Sequence, residues 1–479
     1  MAVTVNAPLA WEQAAGDDAA MLDDLQPNIL KGHARDFLTL IFLRFGEDPE
    51  EANDLLHGLA GLMKSARDHL REVKAFKASG QPGSAYVGLG LTAAGYAALG
   101  VPEARRPADP SFRRGMRNAD LNDDPSLWES TFAEPIHAVV LVGDATPARH
   151  DAALAQARAL IAAHPGVGVA GEQAGLGLHN ANGDGIEHFG YVDGRSQPLF
   201  LAEDIEDERL HGDGASAWDP AFALDRVIVP DPAAPGNGTA FGSYFIYRKL
   251  EQDVQAFKRS EEKLAADLKL NDRERAGAMI VGRFEDGTPL TLQSAEGGHN
   301  PVPNDFDYDS DGDGGKCPFF GHIRKLNPRG SGGFEPQEEE RRHIMARRGQ
   351  TYGMRADDPN DGRIDTKPSG GVGLLFMAFN ADIGAQFEFT QSVWANNPGF
   401  PRTPGGVAAP GVDLVIGQTP NGDPRPGVEA PLAWGADRKT PSAFAAAPAP
   451  EQAVTLRGGE YFFMPALSFL RGEAASAMC

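Results

Sequence analysis

The chain has 479 residues, 41% of them hydrophobic and 23% charged, which is enough to bury a sizeable core or an apolar cofactor. Its 67 acidic and 44 basic side chains give a formal net charge of -23, and no basic stretch is available for phosphates or anionic lipid. This composition argues against nucleic acid and membrane surfaces as partners.

The first half of the chain predicts alternating strands and helices. After a polar N-terminus that we expect to be flexible (residues 1–20), the short apolar run at 36–45 predicts a buried strand. A helix is predicted to follow, because Pro49 suits a first turn and apolar residues then recur at helical spacing. Asp48 can cap that helix. Further strands are predicted at 84–91 and 135–142, and further helices from Thr92 and over 147–164.

The second half repeats the pattern. Strands are predicted at 244–247, 373–379 and 460–464, and helices at 251–268 and 382–394. Residues 215–242, dense in Pro, Gly and Asp, predict a linker, and residues 397–450, which lack periodicity, predict a long surface excursion. We therefore expect two α+β modules, at residues 21–225 and 226–479.

Cysteine usage and the N-terminal sequence bear on the compartment. Cys317 and Cys479 are the only two cysteines, which is typical of a reducing compartment and excludes a CxxC zinc site. The first twenty residues lack a basic start followed by a long apolar run, and eighteen apolar residues never follow one another. We expect a soluble, cytoplasmic protein without an export signal.

One histidine differs from most of the others in its setting. His322 lies in the segment CPFFGHIRKLNPR (317–329), where an apolar approach meets four basic residues. A neutral imidazole there could ligate iron while Arg324, Lys325 or Arg329 contacted haem propionates. A surface histidine beside phosphate-contacting bases is the alternative interpretation, and this segment alone leaves both open.

Two other segments place polar side chains at turns. Gly190-Tyr-Val-Asp-Gly194 leaves Asp193 projecting from a tight loop whose glycines allow close approach of the backbone. The segment HIMARRGQTYG (343–353) places Arg347 and Arg348 together before a glycine. An ordinary Asp-Gly turn and surface arginines are the alternatives here.

Five blocks, in family order from residue 26 to residue 394, resemble the dye-decolorizing peroxidases. GYVDG matches the GxxDG signature of that family within EHFGYVDGRSQP (187–198), and CPFFGHIRKLNPR and RRGQTYG match its proximal-histidine and distal-arginine blocks. GLLFMAFNAD with QFEFTQSVW (373–394) and QPNILKG (26–32) are also similar. The order and number of these blocks make coincidence an inadequate explanation.

The resemblance implies a fold and a cofactor. The fold is α+β, with two ferredoxin-like modules of the dimeric α+β barrel type, antiparallel sheets and peripheral helices. One haem b per chain is implied, held mainly by the C-terminal module, with His322 as proximal iron ligand and Arg324 as a haem-binding residue. A carboxylate on the other nitrogen of the ligand would push electron density to the iron. Asp382 is our candidate for it, with Glu388 behind; both acids could instead cap or decorate the predicted helix.

The resemblance also implies the distal side and the activity. Asp193 would act as general base and then general acid on peroxide, and Arg347, which also binds haem, would supply fixed positive charge. Leu374 and Phe376 alternate along a strand and would both face the pocket. The implied function is a peroxidase that reduces hydrogen peroxide and oxidises dyes, phenols and other aromatic reductants through a ferryl intermediate. A carboxylate base predicts efficient turnover below neutrality.

Three questions stay open at this point. A haem-handling protein on the same fold, which releases iron or delivers haem, is one alternative, although Asp193 and Arg347 together favour peroxide chemistry. An acidic α+β binding module without cofactor is another, and a homo-oligomer is left open.

The acidic run at 304–314 begins like an EF-hand, but Pro318 stands at position twelve, where a bidentate Glu is needed. We therefore favour a solvated acidic loop there.

Overall fold

The computed structural model describes residues 2–234, 238–359, 361–405, 407–440 and 442–472. Fourteen strands lie within these ranges: β1 Phe37–Phe45, β2 Tyr86–Leu91, β3 Ala138–Asp144, β4 Val167–Leu176, β5 Leu178–His179, β6 Gly185–Ile186, β7 Val229–Pro230, β8 Phe241–Gln252, β9 Ala346–Arg347, β10 Gln350–Tyr352, β11 Gly373–Asn380, β12 Val428–Pro431, β13 Phe444–Ala447 and β14 Val454–Met464.

Twelve α-helices lie in the same described ranges: α1 Gly16–Asp24, α2 Pro49–Ala60, α3 Ala66–Ser79, α4 Ala93–Ala98, α5 Pro110–Arg114, α6 Pro147–Ala162, α7 Ala202–His211, α8 Val254–Asp267, α9 Arg273–Val281, α10 His322–Leu326, α11 Gln337–Glu340 and α12 Leu467–Leu470. Short 3-10 helices span Trp11–Gln13, Glu103–Arg105, Met116–Asn118, Pro125–Leu127, Ser130–Phe132, Leu224–Arg226, Asp309–Asp311, Arg341–His343 and Pro420–Gly422. No helix among these residues is long and apolar enough to cross a membrane.

A ten-stranded antiparallel sheet forms the centre of the molecule. Its main path runs β10-β11-β8-β14-β2-β3-β1-β4, with β7 beside β8 and β9 beside β11. The strands β1 to β4 come from the first 176 residues, and β8, β11 and β14 come from the second half. The two groups meet where β14 pairs with β2, at Phe463 and Leu91. The predicted α+β class with antiparallel sheets is confirmed, whereas the module boundary at 225/226 stays a prediction.

Local sequence signals explain the elements that we predicted. The Asp48 carboxylate accepts a hydrogen bond from Glu50 N at 2.9 Å, and the Thr92 hydroxyl accepts one from Gly95 N at 3.0 Å, so both residues cap helices as expected. Strand β4 was not predicted, because its sequence VGVAGEQAGL is rich in glycine and lacks a clean apolar alternation. It lies at the end of the sheet path, where little of it is buried.

Three segments differ from expectation. The N-terminal segment predicted to be flexible buries Val3 and Leu9, and the latter residue pairs with Leu201. The predicted linker buries Trp218, Leu224 and other apolar side chains, because its Pro and Gly residues mark turns rather than exposure. The predicted surface excursion forms the hairpin β12–β13 and buries part of its length.

The predicted helix at 382–394 has the hydrogen-bond pattern of a π-helix and not that of an α-helix. Glu388 N donates to Ile383 O, and Asn396 N donates to Gln391 O, both across five residues. The segment is therefore π-helical at Gly384–Glu388 and Thr390–Ala395. Of the two cysteines, Cys317 is buried and free, and Cys479 lies outside the described residues.

Candidate functional site

A large cavity collects most of the side chains that the sequence singled out. It has about 1890 Å³ of empty space, its open mouth included, and it is lined by His322, Asp193, Arg347, Leu374 and Phe376. These residues come from a short helix, a loop and two strands that are distant in sequence. Further apolar wall is supplied by Leu250, Val281, Met345, Phe387, Val415 and Leu456.

His322 is held by a carboxylate that lies 91 residues further along the chain. Its Nδ1 is 2.9 Å from Asp413 Oδ2, which leaves Nε2 available toward the cavity. Asp413 is fully buried, and its Oδ1 accepts hydrogen bonds from Val415 N at 2.9 Å and Ile416 N at 2.7 Å. Burial alone would raise the pKa of Asp413, but His322 and these hydrogen bonds hold that pKa below the ordinary aspartate value. A neutral imidazole oriented in this way is suited to ligate a metal through Nε2.

Asp382, our candidate for that carboxylate, lies elsewhere. Its Oδ1 accepts a hydrogen bond from Ala385 N at 2.8 Å, so it caps the π-helical segment. Glu388 likewise points away from His322 and accepts hydrogen bonds from Arg114 and from the Tyr461 hydroxyl. The assignment of Asp382 is therefore corrected to Asp413. The one signal for Asp413 was a lone acid in the apolar stretch GVDLVIG, where a buried carboxylate requires a partner.

Arg324 also occupies a different place from the one predicted. Its guanidinium is fully buried and donates to Asp311 Oδ2 at 2.8 Å and to Cys317 O at 2.5 Å, away from the cavity lining. Asp311 is thereby buried as well, in contrast to the solvated loop that we expected. The adjacent Lys325 donates to Gly411 O at 2.9 Å and to two other carbonyls, and so anchors the segment that carries Asp413. Arg324 and Lys325 thus fix the backbone around His322.

Asp193 and Arg347 form an ion pair at the cavity. Arg347 Nη1 donates to Asp193 Oδ1 at 3.2 Å, and Nη2 donates to Ser196 O at 3.3 Å. The Asp193 side chain is 37% exposed and the Arg347 side chain is 33% exposed, so each keeps a surface open to a small molecule. Arg347 is placed by β9, which pairs with β11, and Asp193 by the loop between Gly190 (φ +107°) and Gly194 (φ +81°). Both glycines adopt a left-handed backbone that other residues rarely tolerate.

Strand β11 supplies an apolar wall near this pair. Leu374 and Phe376 are two residues apart on the strand, so their side chains project from the same face, and both line the cavity. The Phe376 ring packs against Phe387 with ring centroids 6.1 Å apart. This wall limits water on that side of the cavity.

Two cationic side chains line another part of the cavity: Arg329, which the sequence analysis considered for the haem propionates, and Arg283, which it did not single out. Arg283 is 4% exposed, and its Nη2 has no hydrogen-bond partner among the described residues, as is also true of the Tyr308 hydroxyl. Burial lowers the pKa of Arg283 to about 10. Arg329 lies in the same wall and donates to Asn304 O at 2.6 Å. Arg283 Nη1 donates to Gly287 O and to Pro303 O, both at 2.7 Å, so Nη2 is the atom left to donate to an anionic group on a ligand.

The donor set and the cavity therefore fit an iron porphyrin. His322 offers an imidazole nitrogen with its second nitrogen held by a carboxylate, and apolar walls enclose a space large enough for a macrocycle. Arg283 and Arg329 offer positive charge for carboxylate substituents. Arg283 could not be singled out from the sequence, because it follows an ordinary helix end at Gly282.

Known proteins resemble the chain over its full length. No protein-family model matches it. A multifunctional dye peroxidase, DyP2, of Amycolatopsis sp. is 58% identical over 477 residues, which cover 98% of this chain and 100% of that protein. A dye-decolorizing peroxidase of Mycena epipterygia is 28% identical and covers 96% of this chain and 88% of its own.

Solved structures agree with these relatives. The structure of DyP2 from Amycolatopsis sp. superposes with a TM-score of 0.93 at 57% identity, and covers 98% of this chain and 100% of its own. A DyP-type peroxidase from Anabaena sp. superposes with a TM-score of 0.88 at 35% identity, and covers 97% of this chain and 96% of its own. The similarity in sequence and in fold therefore extends across the whole molecule.

Proposed function

The chain belongs to the dye-decolorizing peroxidases, which are haem oxidoreductases, and we propose that its cavity holds one haem b at which hydrogen peroxide is reduced and aromatic reductants are oxidised. Dyes and phenols are the reductants we expect. The observation that carries the proposal is that one cavity combines His322, backed by Asp413, with the pair Asp193 and Arg347. The haem-handling alternative is not favoured, because the relatives are named as peroxidases.

The haem would be held from two directions. His322 would ligate the iron through Nε2, while its Nδ1–H donates to Asp413. Arg283 and Arg329 would bind the propionates, and Leu374 and Phe376 would pack against the macrocycle. When bound, the haem supplies the iron at which peroxide binds and the redox equivalents that reach the reductant.

The chain's own residues handle the proton and the charge. The Asp193 carboxylate accepts the proton from the inner oxygen of peroxide and returns it to the outer oxygen, which leaves as water. Arg347 is permanently charged and stabilises the negative charge that develops on the leaving oxygen. Their 3.2 Å contact holds the carboxylate beside the guanidinium at the cavity.

Reconstitution with haem tests the ligand assignment. Wild-type protein should bind one equivalent with the Soret spectrum of a histidine-ligated haem, and H322A should lose that spectrum. The matched control is H343A. His343 also lines the cavity, but its ring stacks on Phe389 with ring centroids 3.6 Å apart, and it has no proposed iron contact. An unchanged Soret spectrum in H322A would exclude His322 as the ligand.

Steady-state dye oxidation tests the distal assignment. D193N and R347L should each lower the rate by about a hundredfold or more, because one removes the proton carrier and the other the fixed charge. D382N should keep the wild-type rate, since Asp382 only caps a π-helical segment. Wild-type rates in both D193N and R347L would contradict the proposal. Cytoplasmic location and a homo-oligomeric state stay predictions.

A further inference from the structure

The loop that carries Asp193 is folded around one partly buried carboxylate. Glu187 Oε2 accepts a hydrogen bond from Phe189 N at 2.7 Å, and Oε1 accepts one from Tyr191 N at 3.0 Å. Glu187 N in turn donates to Tyr191 O at 3.1 Å, and Gly190 N donates to Glu187 O at 3.0 Å. The Glu187 side chain therefore satisfies the inward-pointing N–H groups of a five-residue turn that ends two residues before Asp193.

The same carboxylate ties the loop to the central sheet. Gln252, the last residue of β8, is 4% exposed, and its Nε2 donates to Glu187 Oε2. The backbone of Gln252 is itself held, since its N donates to Val372 O at 2.9 Å. Glu187 and Gln252 both line the cavity that holds Asp193. The sheet, the turn and the distal acid are thus connected through one side chain.

Two backbone hydrogen bonds complete the placement of Asp193. Asp193 N donates to Gly185 O at 3.0 Å, and Val192 N donates to Glu285 O at 3.2 Å. The main chain on both sides of the turn is therefore fixed, while the turn itself depends on Glu187. Burial raises the pKa of Glu187 to about 7, which is the cost of keeping a carboxylate inside the protein.

We propose that Glu187 is a positioning residue for peroxide reduction, which holds the 187–191 turn and thereby sets the place of Asp193 relative to Arg347. This inference rests on the proposed role of Asp193. The Glu187 carboxylate is partly buried and accepts hydrogen bonds from three N–H donors, so it fixes the backbone of the turn. Asp193 follows this turn by two residues and lies 3.2 Å from Arg347, so the position of the turn sets the contact between them.

The direct test is Glu187→Gln in haem-loaded protein, read out first by amide hydrogen exchange. Glutamine keeps the size of the side chain but has one acceptor oxygen, so its amide N–H₂ must face an N–H of the turn. Exchange of the 189 and 191 amides should accelerate about tenfold or more in E187Q, because charge-assisted hydrogen bonds are lost. Unchanged exchange at both amides would overturn the proposed hold on the turn.

The second readout is the bimolecular rate of the reaction with hydrogen peroxide in two backgrounds. E187Q should slow this rate about tenfold when Asp193 is present, and E187Q/D193N should match D193N within about twofold, because the two residues act in series. If E187Q slowed the D193N protein by the same factor as the wild type, the action through Asp193 would be excluded. If D193N itself reacted at the wild-type rate, the proposed function would fail instead.

Two further variants guard against a general loss of structure. Asp231→Asn is a matched control, because Asp231 is a buried carboxylate whose pKa is also raised and which accepts from Ala233 N and Ala466 N, outside the cavity lining. It should leave the 189 and 191 exchange and the peroxide rate unchanged. Gln252→Leu cuts the tie to β8 while Glu187 stays, and it should slow the peroxide reaction only when Asp193 is present. Equal slowing in the D193N background would overturn the proposal even if E187Q failed to fold.

Discussion

Replacement of Asp413 by asparagine perturbs the proximal side of the cavity at one atom. The introduced amide oxygen can still accept from Val415 N and Ile416 N, so the local backbone should be kept. The N–H₂ group, however, replaces the oxygen that lies 2.9 Å from His322 Nδ1. Because Nδ1 must carry the proton when Nε2 binds iron, two donors then face each other.

The size of the effect follows from the hydrogen bond that is lost. A hydrogen bond to a buried charged group contributes about 1.5–3 kcal/mol. A factor of ten in a one-electron equilibrium is about 59 mV, so a bond that stabilises the ferric form alone shifts the haem reduction potential by about 60–130 mV. Loss of the negative charge destabilises the ferric form, and D413N should therefore raise the potential by up to this amount.

Spectroelectrochemical titration of the haem-loaded protein measures this shift. The matched control is D382N, which removes a carboxylate of the same size that caps Ala385 N and does not contact His322. We expect D382N to keep the wild-type potential. A D413N potential within about 10 mV of the wild type, or an equal shift in D382N, would refute the reasoning.

Three further outcomes are expected. R324M should lower the free energy of unfolding by about 3–5 kcal/mol in urea denaturation, because it leaves the buried Asp311 charge unpaired; a change below about 1 kcal/mol would contradict the ion pair. Burial raises the pKa of Asp231 to about 6 and that of Glu187 to about 7, so the stability from their protonated forms is present near pH 4 and lost as the pH rises through about 6–7. Urea titrations of D231N should show a smaller loss between these pH values than the wild type, and an identical loss would argue against this linkage. Dye oxidation by E187Q, in which position 187 does not titrate, should persist as the pH falls from about 7 to about 5, because the proton carrier is a carboxylate and not an imidazole; loss of its activity through about pH 6.5 would point to histidine.

The elements with strong local signals were predictable. Strand β1 is a short run of buried apolar residues, and α2 has an Asp cap, a proline in its first turn and an apolar stripe. The cavity residues Asp193, Arg347 and His322 were found through motif order, because each motif lies in a turn or short element that periodicity does not describe. Local physics thus predicted the scaffold, and the resemblance predicted the site.

The misplaced residues show what the sequence leaves undetermined. Asp413 lies in a segment without periodicity, and its contact with His322 spans 91 residues, which no local pattern reports. Arg324 follows His322 by two positions in α10, and side chains two apart on a helix point about 200° apart. Had α10 been predicted, a cavity-facing His322 would have placed Arg324 on the opposite side. Orientation, and not residue type, was the missing information.

Stopped-flow mixing of haem-loaded wild type and R347L with hydrogen peroxide tests the central claim most directly. The rate of the Soret change reports the reaction at the iron before any dye is oxidised. We predict a fast, peroxide-dependent change in the wild type that is slowed by about a hundredfold or more in R347L, whose haem binding is kept. Equal rates in the two proteins would contradict the assignment of the cavity as a peroxide-reducing site built on Asp193 and Arg347.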